Sequence, residues 1–149
     1  MNRQNVYEQL KIDEGVKYEI YLDHLGYPTL GVGHLIKQLE PEHGAEVGTA
    51  VSEERVAELF EQDLDIAIAE CKVLYEFWED LPGEVQEILV NMMFNLGRPR
   101  LSKFKKMKMA LGVGHWQLAA SEGRDSLWYR QVTNRAERLM TRLENVECG

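Results

Sequence analysis

The sequence contains no apolar run of membrane-spanning length, and residues 1–15 lack the apolar block of a secretory signal peptide. We therefore expect neither membrane insertion nor an export signal, and a cytoplasmic location. Only two cysteines occur, Cys71 and Cys148. This pattern favours one core thiol and one tail thiol in a reducing compartment over a disulfide framework. The four histidines show no metal-ligand spacing, so we expect no metal.

Charge is unevenly distributed along the 149 residues, which carry a net charge of −8. Residues 1–97 hold 6 basic and 20 acidic side chains, whereas residues 98–149 hold 11 basic and 5 acidic side chains. A globally acidic chain argues against nucleic acid as the main partner. The basic final third can contact an anionic polymer, although scattered charge that only maintains solubility is an equally good interpretation.

Hydrophobic periodicity predicts an α+β fold in one domain that spans residues 1–149. A short helix over 3–13 precedes a β-rich lobe at about 15–50, and a long helix at about 52–75 follows, capped by Ser52. This helix joins the small sheet lobe to a larger helical lobe at about 76–149, and we expect the N-terminal helix to pack on that helical lobe.

Within the helical lobe, apolar stripes predict helices over 83–96, 101–111 and about 116–120. A turn is expected near Gly123, and a final helix from Asn134.

Two carboxylates are predicted at the ends of secondary-structure elements. Glu14 ends the first helix before Gly15, and Asp23 ends the first strand. Glycoside hydrolysis needs one protonated and one ionised carboxyl group across a cleft, and side chains at rigid element ends can project into one. The chain has 25 acidic residues, so by spacing alone a solvated surface pair remains an open interpretation.

The Gly-rich segment from Thr29 to His34 is more specific than the carboxylate spacing. Its alternate glycines remove side chains from one face of a strand, where another backbone or a ligand can approach. Thr29 would face the same cleft as Asp23, unless it is there only for strand propensity. Asp63 lies on the apolar stripe of the long helix and needs a partner, and we expect His34 to form a structural pair with it.

Several segments, in order along the whole chain, resemble the phage lysozymes typified by the lysozyme of the T-even phages. The matching segments are Ile12–Gly15, Tyr21–Asp23, Gly26–Leu35, Ala57–Asp65, Asn91–Gly97 and Trp128–Ala136. The resemblance implies a lysozyme-like fold and an endolysin that hydrolyses the β-1,4 bond between N-acetylmuramic acid and N-acetylglucosamine with inversion. It also implies that no cofactor or metal is needed.

The resemblance further implies the roles of the site residues. Glu14 is similar to the general acid of the family, Asp23 to the carboxylate that activates or steers water, and Thr29 to the residue that holds this water. Leu35 and Phe94 correspond to positions that line the sugar-binding cleft.

Other positions are similar to supporting residues of the family. Arg135 corresponds to an arginine near the acid, and His34 and Asp63 to a structural pair. Asn95 stands near the cleft where the family has glutamine. The loop after His34 is shorter than in typical members, so we expect the sheet lobe to lack a small helix.

The expected partner is bacterial peptidoglycan, which a monomeric enzyme would reach from the host cytoplasm once a separate holin has permeabilised the membrane. Two alternatives remain open on the same fold. One is a lytic transglycosylase or a chitinase. The other is a non-catalytic module that binds the wall, against which the complete set of Glu14, Asp23 and Thr29 argues.

Overall fold

A computed structural model describes residues 1–147, so Cys148 lies outside the described residues. The chain divides into two compact units. One comprises Gln4–Ile66, and the other comprises Met1–Arg3 together with the chain from Ala67 onward. The first unit contains a helix and a small sheet, and the second is helical. The long helix α2 (Glu53–Leu74) runs from the first unit into the second.

The sheet unit begins with α1 (Arg3–Glu14) and continues into a three-stranded antiparallel sheet in the order β1-β2-β3. Its strands are β1 (Lys17–Leu22), β2 (Pro28–Gly31) and β3 (His34–Leu35). A later segment lies along the free edge of β1, because the Ile20 amide donates to the Thr49 carbonyl at 2.9 Å. The small sheet therefore gains backbone pairing beyond its three strands.

A close approach between β2 and α2 explains one glycine of the Gly-rich segment. Gly31 has φ +60°, and a Cβ placed there would lie 2.9 Å from Cγ1 of Val56 on α2. Tyr7 of α1 and Phe60 of α2 stack with ring centroids 4.4 Å apart. These contacts bury the apolar side of the sheet unit.

Helix α2 follows the pattern predicted from the sequence. The Ser52 hydroxyl accepts a hydrogen bond from the Arg55 amide at 3.1 Å, as expected of an N-cap. The apolar stripe of α2 is buried, namely Val56, Leu59, Phe60, Leu64, Ala67 and Cys71. Cys71 is thus a core thiol, and burial raises its pKa to about 12, which keeps it protonated.

The helical unit consists of a short 3₁₀ helix and five α-helices within the described residues. Their bounds are Trp78–Asp80, α3 Gly83–Leu101, α4 Lys105–Gly112, α5 Trp116–Arg124, α6 Leu127–Gln131 and α7 Thr133–Glu144. Helix α3 is kinked at Gly97, where φ is +74°. The core of this unit includes Trp128 and four apolar positions of α7, Ala136, Leu139, Met140 and Leu143.

Two sequence predictions for the helical unit were wrong, and one helix was missed. The helix expected over 101–111 begins only at Lys105, because Leu101 still belongs to α3. Gly123 lies inside α5 rather than in a turn, and a Cβ there would clash with Sδ of Met140. Helix α6 was missed, although Ser126 caps it by accepting from the Tyr129 amide at 3.1 Å.

The predicted fold class is confirmed, with a small N-terminal sheet lobe, a long helix and a larger helical lobe. The expected absence of a small helix from the loop after His34 is also observed, because residues 36–52 contain no helix. The single-domain organisation, and the packing of α1 on the helical lobe, stay predictions. Within residues 1–147, none of the helices combines the length and apolar character needed to cross a bilayer.

Candidate active site

A depression of about 500 Å³ on the sheet unit brings together four of the predicted site residues. Glu14, Asp23, Thr29 and Leu35 all line it. They come from the end of α1, the turn after β1, strand β2 and strand β3, respectively. Residues up to 21 positions apart in the sequence, from Glu14 to Leu35, therefore share one concave surface.

Local backbone geometry positions the carboxylates of Glu14 and Asp23 in the lining of the depression. Gly15 has φ +77°, which ends α1 directly after Glu14 and turns the chain into β1. Asp23 forms an Asx turn, in which its Oδ1 accepts hydrogen bonds from the Leu25 and Tyr27 amides, both at 2.9 Å. The carboxylate of Asp23 is thus fixed through one oxygen, and no residue within 1–147 donates a hydrogen bond to Oδ2.

Thr29 carries a buried hydroxyl group whose proton already has a hydrogen-bond acceptor. The side chain is 2% exposed, and Oγ1 donates to the Tyr27 carbonyl at 2.8 Å. Its oxygen can therefore only accept a further hydrogen bond. Oδ2 of Asp23 and Oγ1 of Thr29 are then two acceptors in one depression, an arrangement suited to a water molecule that donates both of its protons.

The polar lining of the depression also includes Lys17, Tyr21 and His24. The Lys17 ammonium lies 4.4 Å from the centroid of the Tyr21 ring, within the range of a cation–π contact. Burial raises the pKa of the Tyr21 hydroxyl, and the negative charges of Glu14 and Asp23 raise it further. The tyrosine consequently stays a neutral hydroxyl beside two acidic groups.

The predicted contact between His34 and Asp63 is present. Nδ1 of His34 lies 2.7 Å from Oδ2 of Asp63, and the imidazole is 4% exposed. Glu40 provides a second carboxylate, since Nε2 of His34 lies 2.8 Å from its Oε1. Burial alone would lower the pKa of His34, but hydrogen bonds to Asp63 and Glu40 outweigh burial and raise this pKa. In the sequence, His34 stands between Gly33 and Leu35, which both line the depression. The contacts of His34 with Asp63 and Glu40 therefore anchor strand β3 beside the depression.

The remaining predicted residues belong to the helical unit. Phe94 and Asn95 lie on α3, and Oδ1 of Asn95 accepts a hydrogen bond from Nε1 of Trp128 at 2.7 Å. Arg135 lies on α7, where its Nε donates to Oδ1 of Asn91 at 2.9 Å and its Nη2 to the Asn91 carbonyl at 3.2 Å. The polar contacts of Asn95 and Arg135 support structural roles, and the expected parts of these three residues in substrate binding or catalysis stay predictions.

Sequence reasoning did not assign Lys17, Tyr21, His24 or Glu40 to this region. Tyr21 had a usable signal, because it lies on the strand that ends at Asp23. Glu40 had none, because its position depends on a turn in which the Lys37 amide donates to its Oε1 at 2.6 Å. Among residues 1–147, no group of three or more His, Cys, Asp or Glu side chains is arranged to hold a metal ion.

Comparison with known proteins agrees with this architecture. A sequence model described as "Phage lysozyme" matches residues 11–145. The chain is 30% identical to "Probable T4-type lysozyme 1" of Dictyostelium discoideum over 94% of both chains. It is 32% identical to "Pre-baseplate central spike protein Gp5" of Enterobacteria phage T4, over 89% of this chain but only 26% of that protein.

A further relative is "Peptidoglycan hydrolase gp36" of Pseudomonas phage phiKMV, with 27% identity over 96% of this chain and 16% of that protein. The domain thus occurs both as nearly the whole of a protein and as a part of much longer ones. The family model covers most of the chain, and the chain belongs to the phage lysozyme family.

Proposed function

We propose that the chain is a peptidoglycan-degrading lysozyme, a glycoside hydrolase that cleaves the β-1,4 bond between N-acetylmuramic acid and N-acetylglucosamine. The observation that carries the proposal is that Glu14, Asp23 and Thr29 line one depression. Membership of the phage lysozyme family and the printed name of the phiKMV relative, a peptidoglycan hydrolase, support the substrate class.

In the proposed reaction, Glu14 acts as the general acid. Its proton passes to the glycosidic oxygen as the bond from that oxygen to the anomeric carbon breaks, and the leaving sugar departs with a free hydroxyl group. A carboxyl group is suited to this step because it can donate the proton while the bond is breaking. Glu14 is partly buried at the end of α1, which limits access of bulk water.

Asp23 and Thr29 are proposed to deliver the attacking water. Oδ2 of Asp23 and Oγ1 of Thr29 each accept one water proton, which leaves a lone pair of the water oxygen for the anomeric carbon. As the new carbon–oxygen bond forms, one water proton passes to Asp23. Attack on the face opposite the leaving group inverts the anomeric configuration.

Leu35 is proposed to contact the bound sugar. It lines the depression and is 51% exposed, so a sugar can cover its apolar side chain. We propose the same cleft-lining role for Phe94, with Arg135 and Asn95 as supporting residues, on the basis of the family resemblance. His34 and Asp63 would support the site through β3.

We further propose that the enzyme acts as an endolysin in host lysis. On this proposal a monomer is held in the host cytoplasm and reaches peptidoglycan after a separate holin opens the membrane. These points rest on the resemblance to the family.

Digestion of purified peptidoglycan by the wild type and by Glu14→Gln tests the proposal. The wild type should release reducing sugar ends, whereas the variant should release almost none, because Gln keeps the shape of the side chain but has no acidic proton. Circular dichroism checks that both proteins are folded. Retained activity in Glu14→Gln would remove this residue from the role.

The same digests separate the alternative functions. Mass spectrometry that finds 1,6-anhydromuramyl ends would identify a lytic transglycosylase. Cleavage of chitin but not peptidoglycan would identify a chitinase. Binding to peptidoglycan without any new sugar ends would identify a wall-binding module.

A further inference from the structure

A second pocket lies within the helical unit. Its volume is about 430 Å³, which is in the usual range for pockets that hold small molecules. Its lining residues lie between positions 113 and 146, at the α4–α5 turn and the end of α7, whereas those of the depression on the sheet unit lie between positions 14 and 35. Its polar lining residues are His115, Trp116, Gln117 and Glu144.

The indole of Trp116 gives this pocket a hydrogen-bond donor that lacks an acceptor. The residue is only 8% exposed, yet Nε1 has no acceptor within residues 1–147 and stays open to solvent. A Cβ placed on Gly114, another lining residue, would lie 3.7 Å from Cζ2 of the indole. Cζ2 and Nε1 are bonded to the same ring carbon, so the edge of the indole that carries the N–H borders the pocket. A largely buried indole N–H usually has a partner, which a ligand can supply here.

Two further polar groups of the pocket are held by neighbouring residues. Nδ1 of His115 accepts from the Leu118 amide at 3.3 Å, so the proton of a neutral ring is on Nε2, which can donate it. Arg124 donates to both carboxylate oxygens of Glu144, at 2.8 and 3.0 Å, and each oxygen keeps a lone pair for another donor. The exposed amide of Gln117 can both donate and accept.

The charges beside the pocket favour a neutral ligand. Glu144 shares Arg124 with Glu137, so two carboxylates surround one guanidinium and an anion would be repelled. The ligand must therefore accept from the indole, offer donors to Glu144 and cover the apolar side chains of Val113 and Val146, which also line the pocket. N-acetylglucosamine meets these needs, because it has an acetamido carbonyl, several hydroxyl groups, a methyl group and no charge.

We propose that this pocket is a second saccharide site that binds an N-acetylglucosamine unit of a glycan strand, with the indole N–H of Trp116 donating to the acetamido carbonyl. N-acetylmuramic acid fits less well, because its lactyl carboxylate would meet the charge of Glu144. The inference goes beyond the proposed function, since binding in this pocket uses none of the residues to which the reaction is assigned.

Proton–nitrogen correlation NMR of the full chain tests the inference. The three tryptophans give three indole N–H resonances, and the one that disappears in Trp116→Phe belongs to Trp116. Titration with N-acetylglucosamine should shift this resonance until it saturates. Glucose, which has a hydroxyl in place of the acetamido group, should bind at least about 10-fold more weakly because the acceptor for the indole is lost. N-acetylmuramic acid should also bind more weakly than N-acetylglucosamine.

Gln117→Ala separates this pocket from any other saccharide site on the chain. It should weaken the binding of N-acetylglucosamine roughly 3- to 10-fold, the effect of one neutral hydrogen bond. Gln62→Ala is the matched control, because Gln62 is an exposed glutamine on α2 and is not part of the pocket lining. This variant should bind N-acetylglucosamine as the wild type does.

Three results would overturn the inference, namely a Trp116 resonance that does not move, equal binding of glucose or N-acetylmuramic acid, and unchanged binding in Gln117→Ala. Failure of the proposed function looks different, because the titration measures binding without cleavage. A wild type that releases no sugar ends from peptidoglycan but shows the predicted shifts would refute the proposed function and support the second site.

Discussion

Replacement of Asp63 with asparagine should destabilise the protein, and the loss should depend on pH in a defined direction. His34 is almost fully buried between two carboxylates, with Nδ1 2.7 Å from Asp63 and Nε2 2.8 Å from Glu40. An imidazolium donates from both ring nitrogens and satisfies both carboxylates. A neutral imidazole leaves one nitrogen lone pair facing a carboxylate oxygen.

The magnitude follows from the type of contact that is lost. The amide oxygen of the introduced asparagine would still accept a hydrogen bond from Nδ1 of His34, and Glu40 would still pair with the ring, so the imidazolium would keep one charged partner. The cost is then the difference between a charge-assisted and a neutral hydrogen bond, about 1 to 2 kcal/mol. For a chain of this size, such a loss lowers Tm by roughly 3 to 8 °C.

The pH dependence follows from the directions of two pKa shifts. The pKa of His34 is raised above its ordinary value of 6.5. Its contribution to stability is therefore complete below that value and is lost as pH rises through the folded pKa. The pKa of Glu40 is lowered from 4.5, against the effect of its burial, by hydrogen bonds from the Lys37 amide and from His34. Its contribution is present above 4.5 and is lost as pH falls through the folded pKa, so both contributions are present between about 4.5 and 6.5.

Urea denaturation of wild type and Asp63→Asn at about pH 5.5 and about pH 9 measures this effect. The difference in unfolding free energy should be near its full value at the lower pH and much smaller at the higher pH. Glu54→Gln, an exposed position on the same helix, is the control and should change stability by less than about 0.5 kcal/mol. An equal loss at both pH values, or no loss, would refute the reasoning.

Two further predictions concern glycines and are checked by urea denaturation. Gly31→Ala should cost about 3 kcal/mol, since it combines a left-handed backbone with a Cβ only 2.9 Å from Val56, whereas Gly33→Ala should cost about 1 kcal/mol because nothing lies within 4 Å of its Cβ. A loss in Gly33→Ala as large as that in Gly31→Ala would contradict this account. Gly123→Ala should cost about 1 to 3 kcal/mol because its Cβ would displace the Met140 side chain, and an unchanged stability would count against close packing of α5 on α7.

Elements with a strong local signal were predictable from the sequence. Helix α2 was expected over about 52–75 and spans Glu53–Leu74, because its apolar stripe and its Ser52 cap are both local features. The pairing of His34 with Asp63 was also predictable, since a carboxylate on an apolar stripe needs a partner.

Features that depend on tertiary packing were not predictable. Gly123 favours a turn by local preference, but it lies within α5, where a Cβ would clash with the Met140 side chain of α7. Gly97 breaks the helical backbone of α3, but the helix resumes and continues to Leu101. The next helix therefore begins at Lys105 rather than at the predicted residue 101. Glu40 reaches His34 only through the turn that follows β3, and sequence separation gave no sign of this contact.

The proposed reaction requires that Glu14 and Asp23 act on opposite faces of one glycosidic bond. The most direct test is NMR of the anomeric proton of newly formed N-acetylmuramic acid ends, recorded before mutarotation. Because inversion converts a β bond into an α product, the first product should carry the α configuration. A first product in the β configuration, or an anhydro end with no reducing sugar, would contradict it.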